Sequence, residues 1–333
     1  MAKHLITGGA GFIGSHLADY LLDRGEEVVV IDNLTTGKYG NIEHLDGRSG
    51  FKCYIEDIRN EALTDELIRD VDRVYHLAAS VGVRLIIDKP TESLINNIVG
   101  TERVLRCASK YRKPVLITST SEVYGKSKSD EFCESDDRIM GATDKARWGY
   151  ANSKATDEFL AMAYYQETRL PVVVVRLFNT VGPRQTGQYG MVVPNLVTQA
   201  LKGLPVTVYG DGEQTRCFCH VKDVVPALVE LLTNPKAYGR VFNLGSNNEI
   251  AIKSLAEEVI KKTGSKSGIE FVPYSTAYPA GFEDMQRRVP SLRRAAELIG
   301  FHPKHNLDAI LGDVVEEISR KLRDAHDTSS QPA

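Results

Sequence analysis

The run Lys3-His-Leu-Ile-Thr7, Gly8-Gly9-Ala10-Gly11-Phe12-Ile13-Gly14, an amphipathic stretch from Ser15 to Arg24 ended by Gly25, then Val28-Val-Val-Ile31 closed by Asp32, decides the fold. It reads as strand, glycine turn, helix, strand, acid. Glycines in such a turn let the backbone approach a pyrophosphate, whose charge then sits at the helix N-terminus. A carboxylate at the end of the second strand suits a ribose 2′-hydroxyl and repels a 2′-phosphate. No arginine follows Asp32 immediately, so the pattern favours NAD over NADP.

The alternation continues along the chain. Phe51 to Ile55 reads as a strand running into Glu56-Asp57-Ile58, and Glu61 to Ile68 as a helix. Asp72 to Leu77 is a strand followed by Ala78-Ala79-Ser80, and Thr91 to Lys110 is a long helix. Pro114 to Thr118 and Pro171 to Leu177 are unbroken runs rich in β-branched residues, as in a parallel sheet buried on both faces. Strands alternating with helices predict an α/β fold, a Rossmann-type doubly wound parallel sheet. After Phe178 the composition turns to Gly, Pro and polar residues. Helices are expected at Pro194 to Lys202, Val224 to Leu232 and Ile252 to Lys262, with short strands at Val206 to Tyr209 and Val241 to Leu244. The expected division is a dinucleotide-binding domain over 1–178, with elements near 217–247 packing back onto it. A smaller C-terminal substrate domain takes 179–216 and 248–325, and 326–333 form a disordered tail.

Composition narrows the function. A net charge of −3 gives no electrostatic reason to expect nucleic acid or an anionic membrane. No apolar run approaches the ~20 residues a bilayer span needs. Strand-like sequence begins by His4, which leaves no room for a secretion signal. Of the five cysteines, the only close pair is Cys217 and Cys219, followed by His220. No second ligand pair has suitable spacing, so no metal site is expected. Reduced thiols and a cytoplasmic location are the expectation.

The chemistry concentrates between Thr118 and Lys154. Thr-Ser-Thr-Ser-Glu-Val-Tyr-Gly occupies 118–125, and Arg-Trp-Gly-Tyr-Ala-Asn-Ser-Lys occupies 147–154, opening a helix expected over Asn152 to Glu167. Tyr150 and Lys154 are four apart and share a helix face. Ionising a free tyrosine at pH 7 costs about 4 kcal/mol. A cation ~4 Å away at an effective dielectric of ~20 returns roughly that amount. The pair can therefore make a general base, although the same spacing also occurs as an ordinary helix-surface pair.

Taken together, these motifs resemble the extended short-chain dehydrogenases/reductases, in the branch that acts on nucleotide-diphosphate sugars. The resemblance spans Leu5 to about Ile310. It rests on the glycine turn, Asp32, Asp57, His76-Leu-Ala-Ala79, Asn97-Ile-Val-Gly-Thr101, the 118–125 motif, Tyr150-x-x-x-Lys154, Arg176 to Arg184 and Tyr209 to Arg216. It implies a cofactor site of Gly8, Gly11, Phe12, Ile13, Gly14, Asp32, Asn33, Asp57, Ile58, Leu77, Ala78, Ala79, Asn97, Tyr150 and Lys154. It implies Tyr150 as the base, Lys154 lowering its pKa and holding the nicotinamide ribose, and Thr120 bonding the reacting oxygen. Ser121, Arg147, Asn179, Val193, Tyr209, Arg216 and Arg288 fall where the family binds its nucleotide sugar, and a UDP-sugar is favoured.

In that family oxidation at the sugar C4′ gives a 4-keto intermediate, whose fate separates epimerases, dehydratases and decarboxylases. Ser121-Glu122 resembles the decarboxylases, whose acid there protonates C5′, and is similar also to the Ser-Glu of GDP-mannose 4,6-dehydratases. Arg147, three before Tyr150, resembles the arginine of UDP-glucuronate decarboxylases. Arg288 before Val-Pro-Ser resembles their substrate-reaching arginine. The resemblance thus implies a UDP-glucuronate decarboxylase, with UDP-sugar 4-epimerase, then 4,6-dehydratase, as alternatives. A non-catalytic dinucleotide-binding regulator is the distant one, since Tyr150, Lys154 and Thr120 are all present. Apolar residues on more than one face of Thr91 to Lys110 and Asn152 to Glu167 predict a homodimer with a four-helix interface.

Overall fold

The computed structural model describes residues 1–81, 88–188, 191–277 and 285–329, except the side chains of 146, 147, 277 and 325–329. The first half carries strands β1 (Lys3–Thr7), β2 (Glu27–Asp32), β3 (Phe51–Ile55), β4 (Arg73–His76), β5 (Val115–Thr120) and β6 (Val172–Leu177). Between them lie helices α1 (Phe12–Asp23), α2 (Glu61–Arg69), α3 (Pro90–Tyr111) and α4 (Ala146–Thr168). The second half carries β7 (Thr180–Val181), α5 (Val192–Leu201), β8 (Val206–Tyr209), β9 (Thr215–Cys217), β10 (Cys219–His220), α6 (Val221–Thr233), β11 (Arg240–Leu244), β12 (Glu249–Ala251), α7 (Ile252–Thr263), β13 (Ile269–Val272), α8 (Tyr274–Ala277), α9 (Arg293–Ile299) and α10 (Leu307–Ser329).

One seven-stranded sheet runs β11-β6-β5-β4-β1-β2-β3, and each neighbouring pair in it is parallel. The period-two geometry of its strands sorts their side chains onto two faces. Ile6, Val28, Val30, Tyr75, Leu116, Val173 and Val175 pack with Leu17 and Leu21 of α1 and Val224 and Leu228 of α6. Leu5, Val29, Ile31, Val74, Val115, Ile117, Val172 and Val174 pack with Leu67 of α2, Val104 and Leu105 of α3 and Ala161 of α4. Both faces are covered, which is why these strands read as unbroken apolar runs. The strand order reverses between β1 and β4, and it is beyond the carboxyl ends of such neighbours that an open α/β sheet binds ligands.

A second, smaller core lies in the later chain. Val193, Leu196 and Val197 of α5, Val206 and Val208 of β8, Leu255 and Val259 of α7, and Ile310 and Val314 of α10 close on one another. Chain 217–247 returns to the first lobe, because β11 pairs with β6 and α6 covers the sheet.

Two boundaries differ from expectation. Helix α4 begins at Ala146, six residues before Asn152, so Tyr150 sits within the helix. Trp148 holds that first turn: it is fully buried, and its ring lies where a Cβ on Gly141 would be. Helix α10 runs on to Ser329, past the start of the expected tail, through a stretch with no Gly or Pro to stop it; residues 330–333 lie outside the described residues.

Candidate active site

The glycine turn is shaped by close approach. Gly8 has φ +74°, and a Cβ there would lie 2.7 Å from the backbone nitrogen of Ala78. A Cβ on Gly14 would lie 2.3 Å from the carbonyl oxygen of Gly8. Only glycine fits either place, and the turn leaves backbone N–H groups of α1 facing a cleft.

That cleft has a volume of about 1050 Å³, larger than a single small-ligand site needs. Its walls come from both lobes. Gly8, Gly11, Phe12, Ile13, Gly14, Asp32, Asn33, Asp57, Ile58, Leu77, Ala78 and Ala79 line one part. Thr120, Ser121, Glu122, Tyr150 and Lys154 also line the cleft, as do Asn179, Val193, Tyr209, Arg216 and Arg288. The donor set fits a dinucleotide at the glycine end: a cradle that a Cβ would fill, with a buried carboxylate beside it.

Asp32 is 7% exposed. Its Oδ2 accepts from the backbone of Ala10 at 3.0 Å and its Oδ1 from Leu34 at 2.8 Å. Burial pushes its pKa up, opposed by those N–H donors. The carboxylate therefore also ties the glycine turn to the end of β2, a role that the motif alone did not indicate. Asp57 accepts from Asn33 at 2.9 Å and takes Arg59 at 2.9 and 2.8 Å. The Arg59 guanidinium holds it down to about 2.

Asn97, expected at the cofactor, lies outside the cleft wall. It is 1% exposed, accepts from the Ser80 backbone at 2.7 Å and donates to Ser153 at 3.1 Å. It pins the end of β4 to α4, while its neighbour Asn96 faces the cleft. One helical step, ~100°, separates the two roles.

At the centre, the Thr120 side chain accepts from the Glu122 backbone at 3.2 Å and hydrogen-bonds the Tyr150 phenol. Burial pushes the Tyr150 pKa up, and the Glu122 charge adds to that. Lys154, one helical turn beyond Tyr150, is paired to a carboxylate of its own helix. Its ammonium is 2.8 Å from Asp157 Oδ2, with both side chains almost fully buried.

Glu122 pairs with Arg288 across the cleft. Arg216 donates to the Thr215 carbonyl at 2.7 Å, Asn179 to the Cys217 carbonyl at 2.9 Å, and Tyr209 is 40% exposed. The Arg147 side chain and the segment 281–284 lie outside the described residues. Sequence reasoning also passed over Arg184, Gln185, Gln214 and Tyr274, which line the cleft. The first three lie in or beside motifs already singled out; nothing in the sequence marks Tyr274.

Among the described residues no group of His, Cys, Asp or Glu could hold a metal ion, and the cysteines are free. No described helix is long and apolar enough to cross a membrane.

A doubly wound sheet with a glycine cradle, and a tyrosine and lysine facing a second lobe, defines a dinucleotide-dependent enzyme of the short-chain dehydrogenase/reductase type. A family model described as GDP-mannose 4,6 dehydratase matches residues 5–314, and the chain belongs to that family, within the extended short-chain dehydrogenases/reductases. It is 41% identical over 94% of its length to a UDP-N-acetyl-alpha-D-glucosaminuronate decarboxylase of Bacillus cytotoxicus, of which it covers 96%. It is 35% identical over 96% of its length to UDP-glucuronic acid decarboxylase 1 of Arabidopsis thaliana, covering 70% of that chain. The UDP-glucuronic acid 4-epimerase of Bacillus cereus, solved with UDP-glucuronic acid and NAD, superposes with a TM-score of 0.87 at 31% identity. That match covers 96% of this chain and 99% of that one.

Proposed function

We propose that this chain is an NAD-dependent decarboxylase of a UDP-hexuronate, acting through a 4-keto sugar. The observation that carries the reading is the Glu122–Arg288 pair beside Tyr150 and Thr120. It puts an acid and a carboxylate-binding cation next to the candidate base. The decarboxylase relatives support it from a separate direction.

NAD, when bound, supplies reversible hydride acceptance at the sugar C4′. Gly8, Gly11, Gly14, Asp32 and Asp57 would hold it. Tyr150 takes the C4′ hydroxyl proton and Thr120 bonds the same oxygen. A ketone at C4′ makes the C6′ carboxylate β to a carbonyl, so the C5′–C6′ bond breaks and CO₂ leaves with its electrons passing to an enolate. Tyr150 and Thr120 hold the enolate oxygen. Arg288 binds the substrate carboxylate until it departs, which takes the guanidinium from Glu122. Freed from the guanidinium, Glu122 takes up a proton from water and delivers it to C5′. The C4′ ketone is then reduced again as Tyr150 returns its proton to the C4′ oxygen, which leaves a UDP-pentose. Asn179, Arg216 and Tyr209 hold the diphosphate and base.

The 4-epimerase reading draws on the Bacillus cereus structure. An epimerase rotates the intact keto sugar and needs no acid at C5′, so Glu122 has no task in it. Product mass separates the two readings, and loss of water would mark a dehydratase. Comparing the thermal shifts given by UDP, GDP and dTDP tests the nucleotide: UDP should give the largest, and equal shifts would remove the preference.

The second copy in a homodimer would cover α3 and α4. Ile95 and Val99 on α3 are 47% and 38% exposed, and Phe159 on α4 is 68% exposed. A Phe159→Lys protein should be monomeric by light scattering where the unmodified chain is dimeric. An unmodified chain that is monomeric at micromolar concentration would reject the dimer. A cytoplasmic location belongs with this reading, in keeping with the free thiols.

A further inference from the structure

Tyr150, Lys154 and Asp157 are spaced i, i+4, i+7, so they share one face of α4. Its neighbour Glu158 turns elsewhere, to Arg176 at 2.8 Å and to Ser119. On a helix surface a lysine and aspartate three apart form a solvated pair of little consequence. Here the side chains are 3% and 2% exposed. Burying two charges costs more than an apolar pair of similar volume would, so a purely structural role explains the pair poorly. Within the carboxylate, Oδ2 takes the ammonium and the Thr101 hydroxyl lies close by.

We propose that Asp157 is a positioning residue for the reaction, anchoring the Lys154 ammonium and setting how far that cation is shared with the Tyr150 phenol. The inference rests on the reading of Tyr150 as the base, and holds equally for a decarboxylase or an epimerase. Asp157 cannot itself reach the reacting atoms, being two helical turns beyond Tyr150.

The groups around this face are few. Glu122 approaches Tyr150 from the chain after β5, with Arg288 paired to it, and Thr120 bonds the phenol. From β4 comes His76, held neutral by burial and by the Lys154 charge. From α3 comes Thr101, beside Asp157. Its Oγ1 is 3.0 Å from His76 Nε2, and His76 Nδ1 is 2.7 Å from Thr7 Oγ1. Glu158 is neutralised by Arg176. Asp157 is thus the carboxylate paired to Lys154 itself. Its negative charge offsets the cation that would otherwise favour the phenolate, and it raises the pKa of Tyr150.

The test is the near-isosteric Asp157→Asn, with Asp157→Ser as a second variant should the first not fold. The tyrosinate absorbance of each protein is titrated with pH, and the same titration in a Tyr150→Phe background is subtracted. Seven residues of helix separate the charges by ~10 Å. At an effective dielectric of ~20, removing one charge should lower the Tyr150 titration by about one pH unit. The acidic limb of the rate profile for C4′ oxidation should move down with it, and Asp157→Glu should restore the original position. A folded variant whose tyrosinate titration and acidic limb both stay in place overturns the inference. So does a loss of rate that is equal at every pH. Substantial activity in Tyr150→Phe itself would instead overturn the reading of the base.

Discussion

Arg288 and Glu122, 166 residues apart in sequence, form an ion pair across the cleft beside Tyr150. The side chains are 11% and 15% exposed, shielded enough for the pair to matter and open enough for a ligand carboxylate to exchange with it. Replacing Glu122 with Gln keeps the shape and removes the transferable proton. Glu122→Gln should therefore oxidise its substrate and release CO₂ but stall before C5′ is protonated. Single-turnover nicotinamide absorbance that rises and does not return is the expected signature. Unimpaired turnover would show that Glu122 is not the acid.

Tyr150→Phe removes the hydroxyl and little volume. Loss of a positioned general base costs about 10²–10⁴-fold in rate, and turnover should fall within that range. Dinucleotide affinity, measured by calorimetry, should stay within a few-fold. A variant that keeps most of its activity would remove Tyr150 from the mechanism.

Asp32→Ala should do two things. It removes the ribose partner, weakening NAD binding and relaxing the rejection of NADP. It also leaves the Ala10 and Leu34 N–H groups without their acceptor, a loss of about 1–3 kcal/mol for each donor left buried. Urea unfolding without ligand and binding titrations with both dinucleotides measure the two effects separately. A wild-type chain that binds NADP better than NAD would contradict the assignment.

The first lobe was legible because its signals are local. Unbroken β-branched runs mark strands covered on both faces, and the spacing of Gly8, Gly11 and Gly14 marks the cradle. The second lobe has strands as short as β7 and β10, whose partners only tertiary packing selects. Glu122 and Arg288 were each singled out, but contact between residues so distant leaves no trace in spacing. Asn97 was misplaced because one helical step decides between cleft and core. Asp157 went unnoticed because a lysine–aspartate pair three residues apart looks solvated until its burial is known.

The buried histidines predict acid sensitivity. His76 is pushed down to about 3 by burial and by Lys154, and His220 to about 4, chiefly by burial. The unfolded chain takes up these protons near pH ~6.5. Between there and the folded values it binds more protons than the native state, so stability falls as pH falls. Each such histidine contributes a slope of about 1.4 kcal/mol per pH unit in that window. His76→Asn should be less stable at pH 7, having lost its bonds to Thr7 and Thr101, yet show a shallower loss between about pH 6 and pH 4. Parallel urea-stability curves for the two proteins across that window would contradict the assignment.

Loss of CO₂ from a UDP-hexuronate is read from the mass of the product. Purified protein with NAD is incubated separately with UDP-glucuronate and with UDP-N-acetylglucosaminuronate. A UDP-sugar lighter by one CO₂ is expected from at least one of them, and that product should not form with Tyr150→Phe. An unchanged mass with inverted stereochemistry at C4′, or a product lighter by one water, would contradict it.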